Sequence, residues 1–145
     1  MQALDKLRPL ALLLLRLALG IIFISHGYPK LFVNPHQTAA MMQHAGLPGY
    51  FAYIAGILEF FGGILLIFGL FTQIVGLLFA GEMAVAILKV HLPQGPILAV
   101  KNYEFPLALA TAAFVLATIG AGLFSVDHMI FGMRARSAGR GKSKN

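Results

Sequence analysis

Four long apolar stretches constrain this chain more than any other feature of its sequence. They cover about residues 10–32, 50–71, 74–90 and 105–126, and a membrane-spanning helix needs about 20 mostly apolar residues. Segments with proline and glycine separate the stretches and mark their boundaries. The sequence therefore predicts an all-α integral membrane protein, a bundle of four transmembrane helices.

The composition excludes the common alternatives to a membrane protein. Of the 145 residues, 59% are apolar and 11% are charged, whereas a soluble domain has about 45–50% apolar and about 25% charged residues. There is no cysteine, so the chain forms no disulfide and offers no thiolate to a metal. We expect a single transmembrane domain over residues 1–133, followed by a flexible basic tail over residues 134–145.

The distribution of positive charge predicts the orientation of the helices. Lys6 and Arg8 precede the first apolar stretch, and five of the eleven lysines and arginines lie in the last twelve residues: Arg134, Arg136, Arg140, Lys142 and Lys144. Because cytoplasmic loops carry an excess of lysine and arginine, both termini are expected in the cytoplasm. The tail has no aromatic residues, which argues against nucleic acid as a partner. Arg16 interrupts the first apolar run and no small-residue cleavage site follows, so a mature helix is favoured over a signal peptide.

Charged residues inside the apolar stretches fall at helical spacing on faces of small or polar residues. An intramembrane charge costs about 2.5–3.5 kcal/mol on insertion scales, so such residues normally face the bundle interior and pair. Matched depth predicts an ion pair between Arg16 and Glu82, and it places Glu59 within reach of His26. Other polar residues form an expected outer rim. The candidate polar site comprises Arg16, His26, Lys30, Glu59, Glu82, Lys89, His91 and Glu104.

The deepest charges leave an excess of carboxylate, since one arginine faces two glutamates. Either His26 is protonated or one glutamate is neutral, and pairing of Arg16 with Glu82 would make Glu59 the neutral one. Small residues on the same faces allow helices to approach closely in lipid. The candidate packing glycines are Gly20, Gly27, Gly56, Gly62, Gly63 and Gly122.

Structural interpretations of these residues remain open. The charged pairs can serve only to fix helix register, and His26 can be an interfacial histidine. The five histidines lack the spacing of a metal site, so no metal is expected. No covalent cofactor is expected either. Only His26 and His91 come near the arrangement of a bis-histidine haem.

The order of several short motifs resembles that of the DoxX family of small four-helix bacterial membrane proteins. The similarity covers about residues 10–128, and the residues that carry it are Arg16 to Phe23 with Gly27 and Lys30, Gly46-Leu47-Pro48, Glu59 to Leu70 with Gly62, Gly63 and Gly69, Glu82 to His91, Glu104, and Gly120 to Asp127. This resemblance implies a bacterial inner-membrane protein linked to quinone-coupled oxidation of sulfur compounds or thiols, or to oxidative stress, and acting beside soluble subunits.

The expected function is that of a membrane subunit of a quinone-linked oxidoreductase complex. Its polar interior would bind a quinone or a small anionic substrate, with Arg16 and Lys30 supplying positive charge and a glutamate relaying a proton. The alternatives are a scaffold without chemistry and a small-molecule carrier. The expected partners are the lipid bilayer and soluble oxidoreductase subunits, and a second copy of the chain is a further candidate.

The orientation can be tested with a reporter that is active only in the cytoplasm. Fused after Asn145, it should be active, and inserted near Gln43, in the predicted outer loop, it should be inactive. The reason is the bias of lysine and arginine toward both termini. An active reporter near Gln43 would reject this topology.

Overall fold

The computed structural model describes residues 5–130, and this part of the chain folds into helices joined by short turns. The helices, in chain order, are α1 (Arg8–Tyr28), α2 (Pro35–His44), α3 (Phe51–Phe68), α4 (Thr72–Ala86) and α5 (Glu104–Ile119). A π-helical segment, Pro29–Val33, continues α1, and a second one, Ile87–His91, continues α4. Two short 3-10 turns, Leu92–Gln94 and Val100–Asn102, lead into α5. The basic tail from residue 134 lies outside the described residues.

Three helical stretches are long and apolar enough to cross a membrane: Arg8–Val33, Phe51–Phe68 and Thr72–Gln94. They correspond to the first three predicted spans. The fourth helix is shorter than predicted, because it ends at Ile119 and not near residue 126. Gly120 ends it with a φ of 86° and a ψ of −169°, a backbone conformation that is not helical. The structure also places a helix, α2, where the sequence indicated only a loop.

The helices pack mainly as two pairs, α1 against α3 and α4 against α5. Glycine allows the first pair to approach closely: a Cβ atom on Gly20 would lie 2.8 Å from the carbonyl oxygen of Gly63. In the second pair, a Cβ atom on Gly76 would lie 2.7 Å from the carbonyl oxygen of Ala113. The aromatic rings of Phe23 and Phe79 stack between the pairs, with centroids 3.6 Å apart. Small residues and stacked rings thus replace the hydrophobic driving force that lipid does not supply.

Asp127 holds the turn between α3 and α4. Gly69 ends α3 in the left-handed conformation, and Phe71 also has a positive φ, of 53°. The backbone N–H groups of Phe71 and Thr72 donate to the two carboxylate oxygens of Asp127, at 2.8 and 2.9 Å. Since the first N–H groups of a helix have no partner within it, this carboxylate caps α4 from 55 residues away in sequence. We call this end of the bundle the turn end.

The predicted ion pair between Arg16 and Glu82 is wrong. Arg16 is 1% exposed, and its guanidinium donates to the carbonyl oxygens of Ala121 and Phe124, at 2.6 and 2.7 Å. These carbonyls belong to the irregular segment that follows α5 and have no helical partner. The sequence predicted a helix as far as residue 126, and in a helix these carbonyl oxygens would accept hydrogen bonds from backbone N–H groups. Arg16 therefore closes the turn end of the bundle.

Replacement of Arg16 by Met should destabilise the protein strongly. The substitution leaves two carbonyl oxygens without their charged donor, and hydrogen bonds to charged groups contribute about 1.5–3 kcal/mol each. We expect the free energy of unfolding in detergent to fall by roughly 2–4 kcal/mol, measured by thermal or denaturant unfolding. Arg8→Met is the matched control, because Arg8 is exposed at the start of α1. Equal stability of the two variants would show that the carbonyl contacts are dispensable.

Candidate functional site

The centre of the site is an ion pair between Lys30 and Glu59. Lys30 Nζ donates to Glu59 Oε1 at 2.7 Å, and the Glu59 side chain is 3% exposed. Among residues 5–130, the other ion pair joins Asp5 and Arg8 at 4.0 Å on the exposed surface. The Lys30–Glu59 pair is therefore the more buried of the two ion pairs in the described part of the chain, and burial strengthens the attraction between the charges.

Two glycines bring Lys30 and Glu59 together. A Cβ atom on Gly27 would lie 2.5 Å from the backbone nitrogen of Phe60 and 2.9 Å from Cβ of Glu59, so any larger residue would push α1 away from α3. Gly56 lies one turn before Glu59, and a Cβ atom there would be 3.1 Å from Cβ of Lys30. The ion pair thus depends on the closest approach of the two helices.

The π-helical segment that follows α1 carries Lys30. Pro29 has no backbone N–H to continue an α-helical ladder, and Asn34 N–H donates to the carbonyl oxygen of Pro29 five residues earlier, at 2.9 Å. Such π-helical turns are rare and frequently lie at functional sites.

The ion pair lies in the wall between two cavities. The smaller cavity, of about 230 Å³, is lined by Lys30 and Glu59 together with His26, His91 and residues of α5. The larger one, of about 440 Å³, is also lined by Lys30 and Glu59, and otherwise by Glu82 and mostly apolar residues of α3 and α4. We call them the histidine cavity and the apolar groove. Both carboxylate and ammonium are consequently accessible from two sides.

The histidine cavity combines two imidazoles whose tautomers follow from their contacts. His26 Nδ1 lies 2.8 Å from the carbonyl oxygen of Ile22, and His91 Nδ1 lies 3.0 Å from that of Ala86. A carbonyl oxygen only accepts hydrogen bonds, so Nδ1 carries the proton in both rings. Nε2 of each neutral ring is then the nitrogen that can accept a proton. The ring of Phe105 packs near His26, at a centroid distance of 5.8 Å.

Glu82 lines the apolar groove, and its Oε2 atom is buried without a hydrogen-bond partner in the part of the chain that the structure describes. The sequence had assigned Arg16 to Glu82 and left Glu59 without a cation. The structure instead pairs Glu59 with Lys30, and Arg16 binds carbonyl groups at the other end of the bundle. A buried carboxyl group without a cation is more stable in its neutral form. Glu82 is therefore the glutamate expected to hold a proton.

Other predicted site residues lie apart from this cluster. Lys89 and Glu104 are exposed and line neither cavity, and Glu104 is in the first turn of α5. Gly122, predicted as a packing residue of a helix, lies in the irregular segment after α5 with a φ of 77°. Within residues 5–130 no cluster of three or more histidine, cysteine or acidic residues could hold a metal ion.

The sequence analysis missed two residues that shape the structure outside the polar site. Asp127 was included only in the family motif, although an acidic residue soon after an apolar helix is a possible cap for a neighbouring helix. Gly76, which lets α4 approach α5, carries the same small-residue signal as the glycines on the other helices. Neither lines the histidine cavity or the apolar groove.

Comparison with known proteins gives two matches. The family model DoxX matches residues 11–92, a range that contains Lys30, Glu59, Glu82 and His91. A Bacillus subtilis (strain 168) protein named "Putative oxidoreductase CatD" is 37% identical over 119 residues, which cover 82% of this chain and 86% of that protein. No solved structure matches the chain.

A double-mutant cycle tests whether Lys30 and Glu59 stabilise the fold as a pair. Lys30→Met and Glu59→Gln should each destabilise the protein, because each leaves a buried group without its partner. Their combination should be more stable than the sum of the single effects by about 2 kcal/mol, measured by unfolding in detergent. The exposed residues Lys89→Met and Glu104→Gln form the control cycle and should give additive effects. Additivity for Lys30 and Glu59 as well would rule out their coupling.

Proposed function

The chain belongs to the DoxX family of membrane proteins, and from this premise we propose that it is the membrane subunit of a quinone-linked oxidoreductase complex. The observation that carries the proposal is the position of the Lys30–Glu59 ion pair, which faces an apolar groove of about 440 Å³. Ligand pockets are typically about 300–1,000 Å³, mostly apolar, with a few polar groups that fix orientation. The groove has this character. The name of the Bacillus subtilis relative adds support for an oxidoreductase.

The walls of the groove suit a ligand that arrives from the bilayer. Several of its apolar residues are exposed on helices long enough to span a membrane, among them Ile54 at 52%, Leu77 at 59% and Leu78 at 50%. Their outer surfaces face lipid when the helices lie in a membrane. An isoprenoid quinone, with an apolar tail and two ring carbonyls, fits a groove that is apolar at its mouth and polar at its base.

Charge argues against a small anion as the ligand of the groove. Among the described residues that line it, Lys30 is the one cationic side chain, and Glu59 and Glu82 both line it. An anion would replace a carboxylate that already neutralises Lys30, whereas a neutral carbonyl oxygen can accept a hydrogen bond from Lys30 or from a protonated Glu82. Arg16, the other proposed anion partner, is bound to carbonyl groups at the turn end. The groove therefore favours a neutral carbonyl compound.

Within such a complex, this chain's residues would bind and orient the quinone while soluble subunits supply the electrons. A bound quinone supplies two-electron, two-proton chemistry. Lys30 would donate to one ring oxygen, Glu59 would hold Lys30 in place, and the apolar walls would exclude water. We propose that the protein lies in the bacterial inner membrane with both termini in the cytoplasm; the charge bias and the family support this location and orientation.

Photoaffinity labelling tests this function. An azido-benzoquinone with a short isoprenoid tail, added to the protein in detergent–lipid micelles, should label peptides of α3 and α4 that line the groove. Lys30→Met should lower labelling about tenfold, equivalent to about 1.4 kcal/mol of binding, because the ring oxygen loses its donor. Lys89→Met is the control with an exposed lysine outside the groove. Diffuse labelling that Lys30→Met does not change would instead support a scaffold without a ligand.

A further inference from the structure

Side chains that can donate or accept a proton line both cavities. Glu82 lines only the apolar groove, and His26 and His91 line only the histidine cavity. Lys30 and Glu59 line both. Among residues 5–130, these five are the titratable side chains that line the two cavities, since α2 and α5 contribute only residues without ionisable groups to them.

Each glutamate has one carboxylate oxygen that could accept a further hydrogen bond or a proton. Oε2 of Glu59 and Oε2 of Glu82 are buried, and neither has a hydrogen-bond partner among the residues that the structure describes. An oxygen of this kind is costly to bury unless it gains a partner or a proton in another state. Lys30 is one flexible ammonium group, and it borders the groove that contains both carboxyl groups.

We infer that Glu82, the Lys30–Glu59 pair and the two histidines form a proton relay that connects the apolar groove with the histidine cavity. The inference deepens the proposed function and rests on it, because a ligand bound in the groove supplies the proton. Protonated Glu82 releases its proton to Glu59, and Glu82 is later protonated again from the groove: in the first step the O–H bond of Glu82 breaks and an O–H bond forms on Glu59. Lys30 then turns from the neutral Glu59 to the newly ionised Glu82.

The histidines complete the transfer. Neutral Glu59 gives its proton to Nε2 of His91 or His26, the free nitrogen of each ring, which forms an imidazolium and restores the carboxylate of Glu59. Lys30 returns to Glu59 when Glu82 is protonated again. One proton has moved from the groove to the histidine cavity, and the charge of each glutamate is the same as at the start. Electrons take no part in these steps.

Infrared spectroscopy of the protein in lipid, without added quinone, tests the relay. Wild type should show the band of a protonated carboxyl group near neutral pH, and Glu82→Gln should remove it. In Glu59→Gln, Lys30 has Glu82 as its only remaining carboxylate, so the midpoint of the Glu82 titration should move to lower pH. In Lys30→Met the midpoint should move to higher pH. Glu104→Gln, at an exposed site on α5, should change nothing.

Two results would overturn the relay. The first is an unchanged titration midpoint of Glu82 in Glu59→Gln or in Lys30→Met, measured in the variant that folds. The carboxyl groups of Glu59 and Glu82 would then titrate independently. The second concerns the histidines: in the double variant His26→Phe, His91→Phe, exchange of the carboxyl proton with D₂O should slow severalfold, and an unchanged rate would remove them from the path. Coupled titrations without quinone labelling would overturn the proposed function alone, and labelling without coupling would overturn the relay alone.

Discussion

The close approach of α1 to α3 is the constraint on which the site depends. A lysine and a glutamate within membrane-spanning helices are tolerated when they neutralise each other inside the protein. Lys30 and Glu59 reach a distance of 2.7 Å because Gly27 and Gly56 remove the side chains that would separate the helices. The helix pair and the ion pair stabilise each other: the glycines permit the contact, and the charges oppose any separation of the two helices. The wall between the two cavities is a consequence of this contact.

The opposite end of the bundle is closed by different chemistry. Arg16 binds carbonyl groups of the segment after α5, and Asp127 caps the first N–H groups of α4. Both charged side chains satisfy backbone groups that helix ends leave without partners, a requirement that is strict in lipid. Arg16 and Asp127 thus stabilise the turn end, and the Lys30–Glu59 site lies at the other end of the bundle. It also explains why the arginine is not available to a ligand.

The two helix pairs resemble each other in their helical extensions and in the positions of their polar residues. Both α1 and α4 continue into a π-helical segment with basic residues, Lys30 in the first and Lys89 and His91 in the second. In the sequence, His26, Lys30 and Glu59 of the first pair correspond in order to Lys89, His91 and Glu104 of the second. The two helix pairs differ in the burial of their glutamates: Glu104 is exposed, whereas Glu59 is buried. Only the first pair holds a buried ion pair in the part of the chain that the structure describes.

Much of this protein was determined by its sequence alone, because hydropathy and helical spacing are local properties of a chain. The apolar stretches located the membrane-length helices, and the short motifs indicated the DoxX family, now established by the comparisons. Of the eight polar residues predicted for the site, Lys30, Glu59, Glu82, His26 and His91 line the two cavities, whereas Arg16, the predicted partner of Glu82, lies at the turn end. Arg16 and Glu82 match in depth along their helices, but depth says nothing about rotation around the helix axis or about the chain that follows α5. The tertiary structure was needed to show that Gly120 ends α5, that the carbonyl groups beyond it bind Arg16, and that Lys30 is the partner of Glu59. Pairing of charges is set by which helices touch and where the chain turns, and those distances exist only once the bundle is assembled.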